Sequence, residues 1–324
     1  MCAMMTFEQT VAFLHAHDNF LLLTHRRPDG DTLGSAGALA QGLREAGKTA
    51  YALRNPETTP RYARFIDGHI APDGFVPECI VAVDTASAGL LPPNAAQYAD
   101  NVALCIDHHP SNTLYARDTY LVAESATCGE LVYALLMAAF GTISPKSADC
   151  LYTALTTDTG CFVFANTTAG TLRAAASLID AGAAHRELNK LLFRTKKRSR
   201  IAIEGMVYSG LEFYFGGAVA LSVITGEMAR RAQADEDDLD DISSIPGSVD
   251  GVLVGITLRE LTSPLDCKAS VRTNGSVDAC AICALFGGGG HPMAAGFSQD
   301  KTINEIKQEL IATLGGFLPT ECEK

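Results

Sequence analysis

Residues 102–109 have the sequence Val-Ala-Leu-Cys-Ile-Asp-His-His, an apolar run that ends in a carboxylate and two imidazoles. Similar apolar runs occupy residues 20–23 and 80–83, and a segment of helical pattern at residues 33–46 lies between them. Continuous apolar strands separated by helices are typical of a parallel sheet that helices cover on both faces. The first half of the chain is therefore predicted to be an α/β domain built on such a sheet.

Acidic and imidazole side chains follow each of these apolar runs. His25, Asp29 and Asp31 come after the first run, and Asp84 comes directly after the second. Asp158, in a later Thr-Thr-Asp-Thr-Gly stretch, adds another carboxylate. Because ligands of open parallel sheets bind at the carboxyl ends of the strands, these side chains are expected to share one site.

Each of these aspartates also has a structural explanation. Asp31 is suited to capping the following helix, Asp84 precedes a threonine where an N-cap is common, and Asp158 is suited to a helix end or turn. Capping alone requires neither His25 nor Asp29. We therefore favour metal binding for the set as a whole.

Carboxylates and neutral imidazoles without a thiolate favour manganese or magnesium over structural zinc. Two ions about 3.5–4 Å apart can activate a water and hold the attacking and leaving oxygens in line, so we expect hydrolysis of a phosphorus–oxygen bond. Asp84 is best placed to bridge both ions, and His108 is expected to bind the second ion. His109 is expected to face the substrate phosphate, with Asp107 orienting a ligand. The candidate catalytic residues are therefore Asp84, His109 and Asp107.

The second half of the chain predicts a smaller mixed α/β domain with four strand-like segments. These are residues 211–214, 218–224, 252–258 and 267–272. A charged segment, residues 187–200, precedes them. We expect a catalytic domain over residues 1–186, a connector over 187–200 and a substrate-binding domain over 201–324.

Four consecutive glycines, Gly287, Gly288, Gly289 and Gly290, precede His291 in the second domain. Glycine loses more backbone entropy on folding than other residues, so such a stretch is expected where backbone N–H groups approach an anion closely. His291 is suited to adding a hydrogen bond or a positive charge. A flexible hinge is the alternative interpretation.

Three cations on the strands that lead to the glycines are candidate phosphate clamps: Arg259, Lys268 and Arg272. Arg272 is the best of them, since a guanidinium offers a fork of donors that suits phosphate. Surface salt bridges are the alternative, above all for Arg259 beside Glu260.

Three further polar segments have structural interpretations. Thr127 and Glu130 form a predicted capping box, and the helix that they begin is suited to phosphate contact as a second role. The acidic run at residues 234–241 is expected to be a solvated loop or a helix start, and the basic cluster at residues 194–200 a solvated face.

Composition limits the kind of partner. The chain of 324 residues has 25 basic and 37 acidic side chains, a net charge of −12, which argues against a broad basic face for long nucleic acid. A small anionic substrate remains compatible with it. Ten scattered cysteines, no signal-peptide pattern and no stretch long enough to span a bilayer predict a cytoplasmic protein without membrane contact.

The order of the motifs closely resembles the DHH phosphoesterase superfamily. These motifs are His-x-x-x-Asp-x-Asp, Val-Asp-Thr, Asp-His-His, Asp-Thr-Gly and Phe-Gly-Gly-Gly-Gly-His-Pro-x-Ala-Ala-Gly. Within the superfamily, the chain is similar to members of the oligoribonuclease/pAp-phosphatase type that carry a DHH-associated C-terminal domain. The resemblance implies two α/β lobes with the active-site cleft between them and two Mn²⁺ ions, with Mg²⁺ or Co²⁺ as substitutes.

The resemblance also implies ligands and substrate contacts by position. One ion is expected on His25, Asp29 and Asp84, and the other on Asp31, Asp84, His108 and Asp158. The expected substrate-phosphate contacts are His109, Arg272, Gly287, Gly288, Gly289, Gly290 and His291.

The substrates that the resemblance implies are short. They are nanoRNA and dinucleotides, cleaved to nucleoside 5′-monophosphates, and 3′-phosphoadenosine 5′-phosphate (pAp), which loses a phosphate. Long duplex nucleic acid and membranes are not expected partners, and a homodimer is allowed. Two alternatives stay open: a phosphodiesterase for cyclic or linear signalling dinucleotides such as c-di-AMP and pApA, and a catalytically weak nucleotide-sensing module.

Overall fold

The computed structural model describes residues 3–239 and 241–319. The chain divides into two compact units, the first ending at Thr195 and the second beginning at Lys196. This boundary lies inside the charged segment at residues 187–200. In the described part of the chain, no helix is both long and apolar enough to span a membrane.

The first unit alternates strands and helices. Its strands are β1 (Ala3–Met4), β2 (Phe20–Leu23), β3 (Ala50–Ala52), β4 (Cys79–Val83), β5 (Leu104–Asp107) and β6 (Asp118–Leu121). Its α-helices are α1 (Phe7–Ala16), α2 (Gly30–Glu45), α3 (Pro60–Ala63), α4 (Cys128–Phe140), α5 (Pro145–Asp158), α6 (Ala169–Asp180) and α7 (His185–Asn189). Short 3₁₀ helices cover Asp67–His69, Ala88–Leu90 and Pro93–Asn101, and a π-helical turn covers Lys190–Arg194.

Local capping explains where several of these helices begin. The Thr6 hydroxyl accepts from Gln9 N while the Gln9 side chain accepts from Thr6 N, a complete capping box before α1. Ser144 caps α5, with Pro145 at the first helical position where its missing N–H costs nothing. Such caps contribute about 1 kcal/mol each to helix stability.

The strands of the first unit form one six-stranded sheet in the order β1-β6-β5-β4-β2-β3, and all of its described pairings are parallel. Strands β2, β4 and β5 are buried along their whole length. Successive side chains of β2 join different core clusters, Leu22 on the face covered by α2, α4 and α5, and Leu23 on the other. The predicted parallel sheet with two covered faces is confirmed.

The parallel arrangement decides where the polar loops go. Leu22 of β2 pairs with Val81 of β4, and Val83 of β4 pairs with Ile106 of β5. The carboxyl ends of these three strands therefore lie side by side at one edge of the sheet. The loops that follow them carry the acidic and imidazole side chains singled out above.

The second unit contains a mixed sheet. Its strands are β7 (Glu212–Tyr214), β8 (Val219–Ile224), β9 (Val254–Glu260), β10 (Cys267–Thr273), β11 (Gly289–His291) and β12 (Ala294–Gln299). Its α-helices are α8 (Arg198–Ser209), α9 (Gly226–Ala232), α10 (Glu236–Leu239), α11 (Ala279–Ala284) and α12 (Ile303–Leu314). Short 3₁₀ helices cover Phe215–Gly217, Ile242–Ser244 and Pro246–Ser248.

These strands have the order β11-β12-β10-β9-β8-β7, in which β8 and β9 are parallel and the other pairings are antiparallel. The core of this unit packs α11 and α12 against the sheet through side chains such as Ile282, Ile306 and Leu310. The predicted mixed α/β character of the second half is confirmed.

The acidic and basic segments meet inside the second unit. Lys197 Nζ lies 2.8 Å from Asp235 Oδ2, and Arg200 NH1 donates to the Asp238 carbonyl at 2.9 Å. Helix α10 begins in the acidic run, as expected for a helix start, but Asp238 is only 3% exposed. The prediction of solvated charge segments is therefore wrong for Asp238, whereas Lys197 and Asp235 are exposed as expected. Position 240 of the run lies outside the described residues.

Candidate metal centre

The structure brings the six predicted ligand residues together at the carboxyl edge of the first sheet. They form overlapping groups whose ligand atoms lie within 4.8 Å of one another. The groups are His25 with Asp29 and Asp84, Asp31 with His108 and Asp158, and Asp84 with His108 and His109. Asp84 belongs to two of the three groups, as a bridging carboxylate must.

Asp84 follows β4 directly and is 2% exposed. Its backbone has φ = +53°, in the left-handed region, and no helix begins there, since the next helical turn is preceded by Ser87. The N-cap alternative for Asp84 is therefore wrong. Its Oδ2 lies 2.6 Å from the Thr32 hydroxyl, but its buried Oδ1 has no hydrogen-bond partner. An orphaned buried carboxylate oxygen is costly, and a cation at this position removes the cost.

Both histidines of the ligand set are held in the orientation that metal binding requires. His25 Nδ1 lies 2.7 Å from the Arg26 carbonyl, and His108 Nδ1 lies 3.1 Å from the Ser125 carbonyl. A carbonyl accepts only from N–H, so each ring carries its proton on Nδ1 and directs the Nε2 lone pair toward the aspartates. His108 Nε2 lies 3.5 Å from Asp84 Oδ1.

Asp29 and Asp31 have different structural roles at the start of α2. Asp29 caps α2, since its Oδ1 accepts from Thr32 N at 3.0 Å. The cap explains why α2 begins at Gly30 rather than at residue 33. Asp31 lies in the first turn and does not cap α2, contrary to the alternative interpretation of this residue.

Asp31 instead accepts from the N-terminus of α4. Its Oδ2 accepts from Cys128 N at 2.7 Å and its Oδ1 from Gly129 N at 2.9 Å. These N–H groups and the helix dipole favour the ionised carboxylate. Because Asp31 already uses them, the expectation that this helix end contacts substrate phosphate is wrong for these two N–H groups.

The predicted capping box of α4 is only half present. Thr127 Oγ1 accepts from Glu130 N at 3.0 Å, as expected. The Glu130 carboxylate, however, accepts from the Ser125 hydroxyl at 2.7 Å and from Ala126 N at 3.2 Å. Glu130 therefore fixes the loop whose Ser125 carbonyl orients His108.

His109 is held by the fully buried Asp107. Asp107 Oδ1 lies 2.7 Å from His109 Nδ1, and Asp107 Oδ2 accepts from Asn112 Nδ2 at 2.6 Å. Burial alone would raise the pKa of Asp107, but the hydrogen bonds from His109 and Asn112 outweigh it and lower the pKa. The hydrogen bond to Asp107 raises the pKa of His109 to about 9, helped by the charges of Asp84 and Asp158. His109 is therefore a cation at neutral pH.

The remaining carboxylates are crowded together. Burial raises the pKa of Asp31 well above its usual value, and the charges of Asp84 and Asp158 add to the shift. Burial and the charge of Asp29 raise the pKa of Asp84, and burial raises the pKa of Asp158 to about 6. Asp158 is the last residue of α5, so its helix-end interpretation is correct and compatible with a ligand role. Together these acids need cations or protons nearby.

Two polar residues of the site were not predicted from the sequence. The Thr32 hydroxyl lies 2.5 Å from His25 Nε2, 3.1 Å from Asp29 Oδ1 and 2.6 Å from Asp84 Oδ2. Asn112 supports Asp107, as described above. The only sequence signal for Thr32 is its position three residues after an N-cap aspartate.

In the second unit, a cavity of about 400 Å³ lies over β10, β11 and β12. Its lining includes Lys268, Ser270, Arg272, Gly289 and Ser298. Two cations and two hydroxyls thus surround a space large enough for a small anionic ligand. Arg259 does not line it and pairs instead with Glu236, at 2.6 Å, rather than with Glu260. The clamp hypothesis for Arg259 is therefore wrong.

The glycine run is not a hinge, because β11 begins within it and pairs with β12. Gly287 and Gly290 have φ of +79° and +147°, and a Cβ at Gly288 would lie 2.3 Å from the Gly296 carbonyl oxygen. These positions require glycine for conformation or close packing. A Cβ at Gly289 would meet nothing within 4 Å, and His291 is exposed at the end of β11.

Comparison with known proteins decides the family. The sequence model of the family described as "DHH family, N-terminal domain" matches residues 19–155. The bifunctional oligoribonuclease and PAP phosphatase NrnA of Thermus thermophilus is 31% identical over 312 residues, covering 92% of this chain and 91% of that protein. This chain belongs to the DHH family. The protein of the same name from Bacillus subtilis is 24% identical. The matched region covers 90% of this chain and 92% of the Bacillus subtilis protein.

A DHH-type fold is also supported by a solved structure. The exopolyphosphatase-related protein from Bacteroides fragilis has a TM-score of 0.84 with 24% sequence identity, and 96% of each chain is covered. The resemblance drawn from the motifs is confirmed. The names of the DHH relatives denote hydrolysis of phosphoester bonds, so the prediction of a phosphoester hydrolase is confirmed at the level of reaction class.

Proposed function

We propose that this DHH-family protein is a manganese-dependent phosphoesterase that cleaves short oligoribonucleotides to nucleoside 5′-monophosphates and removes a phosphate from pAp. The observation that carries the proposal is that the six candidate ligand side chains fall into groups linked through Asp84 and His108, while Asp84 Oδ1 is buried without a hydrogen-bond partner. Two relatives that cover 92% and 90% of the chain are named for these two activities.

The donor set fits two divalent ions. His25, Asp29 and Asp84 are proposed to hold one ion, and Asp31, Asp84, His108 and Asp158 the other. Oxygen and imidazole donors without a thiolate suit Mn²⁺, with Mg²⁺ or Co²⁺ as substitutes. When bound, such ions lower the pKa of water and stabilise charge that develops on the phosphoryl oxygens.

The chain supplies orientation and charge around this centre. The carbonyls of Arg26 and Ser125 keep the Nε2 lone pairs of His25 and His108 directed inward. Asp107 fixes the His109 ring through Nδ1, which leaves Nε2 to face a phosphate oxygen. In the second unit, Arg272, the glycine run and His291 are proposed to contact substrate phosphate.

Hydrolysis of three substrates tests this function. Purified protein with Mn²⁺ should release AMP from pApA and nucleotides from a five-nucleotide RNA, and phosphate from pAp. Ranking the three by kcat/KM separates an oligoribonuclease from a pAp phosphatase and from an enzyme for signalling dinucleotides. No turnover of any of them would overturn the proposal and favour a sensing module.

A matched pair of variants tests the site. Asp84→Asn keeps the shape of the side chain but removes the shared charge, so kcat should fall at least about 100-fold. Cys280→Ala, on α11 of the second unit, should leave kcat unchanged. Full activity in Asp84→Asn would show that the cluster is not the catalytic centre.

A further inference from the structure

The segment that follows Asp158, a residue of the candidate metal centre, exposes an aromatic ring. Phe164 is 58% exposed and its neighbour Val163 is 80% exposed. Among the phenylalanine and tyrosine rings that the structure describes in the first unit, Phe164 is the most exposed. Single exposed apolar residues are common on protein surfaces. The position of Phe164 therefore needs further support before it indicates a function.

The first support is the backbone that presents the ring. Gly160, Cys161 and Phe162 have φ of +56°, +57° and +69°, three left-handed residues in succession. Such a conformation is unfavourable for Cys and Phe and persists where the surroundings enforce it, most often at functional sites. Here Phe162 turns inward and packs edge-to-face on Tyr152, with ring centroids 6.3 Å apart. Phe164, two residues later, is directed outward.

The second observation concerns the contacts that hold the Phe164 ring in place. A Cβ at Gly160 would lie 2.5 Å from Phe164 Cζ, so the ring lies directly on the backbone two residues beyond Asp158. Phe164 N donates to the Thr159 carbonyl at 3.0 Å. Asn166 Nδ2 donates to the carbonyls of Asp158 and Ala126, at 3.1 Å each. The segment that carries the ring is thus tied to the backbone of Asp158 and Thr159, and the ring itself lies on Gly160.

We propose that Phe164 is a stacking platform for a nucleobase of the substrate. An exposed, preorganised aromatic face is the usual protein partner of an unstacked base, and it accepts any base because every base has a π-face. This inference rests on the proposed function, since the metal centre would hold the phosphate to which that base is attached. Phe164 would raise affinity for nucleotides over phosphoesters that lack a base.

Steady-state kinetics give the first test. Phe164→Ala should raise KM for pApA by roughly 5- to 140-fold, the range for loss of one stacked base. Phe164→Tyr should keep the wild-type KM, and Phe164→Leu should behave like the alanine variant. Of the two dinucleotides in which one base is replaced by hydrogen, the one that lacks the stacked base should lose the same factor in wild type and should be insensitive to Phe164→Ala. The other should remain as sensitive to Phe164→Ala as pApA. An unchanged KM for pApA in Phe164→Ala would overturn the inference and leave the phosphoesterase function intact.

Fluorescence gives a test that does not require turnover. The chain has no tryptophan, so Phe164→Trp introduces the sole indole. Val76→Trp is the matched control, because Val76 is 78% exposed and precedes the amino end of β4, at the opposite edge of the sheet. With Mg²⁺ present, AMP should quench Phe164→Trp but not Val76→Trp, and ribose 5-phosphate should quench neither. Equal quenching of both variants by AMP, or none, would overturn stacking whether or not the wild type proves to be a phosphoesterase.

Discussion

At the scale of single residues, Asp84 lowers the stability of the fold but favours metal binding. Its carboxylate is almost completely buried, and one oxygen lacks any hydrogen-bond partner. Desolvation and the nearby charge of Asp29 raise its pKa. Burial and the neighbouring charge make the ionised Asp84 carboxylate unfavourable when no metal ion is bound. A cation stabilises the carboxylate strongly, so the free energy lost on burying Asp84 is recovered as affinity for metal.

His69 is a buried histidine outside this centre. It is 2% exposed, its Nδ1 lies 3.1 Å from Arg44 NH1, and its Nε2 has no hydrogen-bond partner. Burial, helped by the charges of Lys146 and Arg44, lowers the pKa of His69 from 6.5 to about 4. His69 is therefore neutral in the folded protein at pH values where the unfolded chain is protonated.

This difference makes stability depend on pH with a definite sign. Between pH 6.5 and about 4 the unfolded chain binds the proton at this histidine and the folded chain does not, so the contribution of His69 to the free energy of unfolding should fall as pH is lowered. The loss should reach at most about 3 kcal/mol. His69→Asn retains an acceptor for Arg44, and urea unfolding of this variant should lose less stability than wild type between pH 7 and pH 4.5. Equal losses in both proteins would contradict the assignment.

At the scale of elements, the sequence predicts what depends on local pattern and misses what depends on distant partners. The buried strands and the strand-end motifs follow from apolar runs and from the geometry of parallel sheets. The sequence offers Asp31 as the alternative cap of α2, but Asp29 takes that role in the structure. Besides the nearby Ser35 hydroxyl, Asp31 accepts from the N–H groups of Cys128 and Gly129, 97 and 98 residues away. No local periodicity reports such a contact.

The hairpin of β11 and β12 separates glycines needed for folding from one that is not. Gly288→Ala places a Cβ against the Gly296 carbonyl and should destabilise the second unit by roughly 1–3 kcal/mol. Gly289→Ala meets open space and should keep wild-type stability, but its methyl group enters the cavity beside Arg272 and should raise KM for short RNA. Thermal unfolding and kinetics of the pair check this, and a stable Gly288→Ala would refute the packing argument.

At the scale of the whole molecule, the net negative charge of the protein opposes binding of an anionic substrate. The chain has a net charge of −12, and the proposed substrates are anions. Attraction must therefore come from local cations: the divalent ions proposed for the aspartate cluster, protonated His109, and the Lys268 and Arg272 side chains of the cavity. Because four of the six proposed ligands are aspartates, an empty centre would repel phosphate, and loading with metal reverses the sign of the field.

The same crowding predicts how metal and pH act together on stability. Asp158 has its folded pKa raised from 3.8 to about 6, so the folded protein holds a proton that the unfolded chain has released between these values. The metal-free protein should therefore lose stability as pH rises through this range, and the raised pKa values of Asp31 and Asp84 act in the same direction. Mn²⁺ binds the ionised carboxylates and removes this penalty.

The increase in Tm between EDTA-treated and Mn²⁺-loaded protein should accordingly be larger at pH 8 than at pH 5. Taking this difference at each pH cancels the contribution of His69. Asp158→Asn should show a smaller increase at pH 8, whereas an increase that is equal at both pH values in wild type would mean that these carboxylates do not bind the ion.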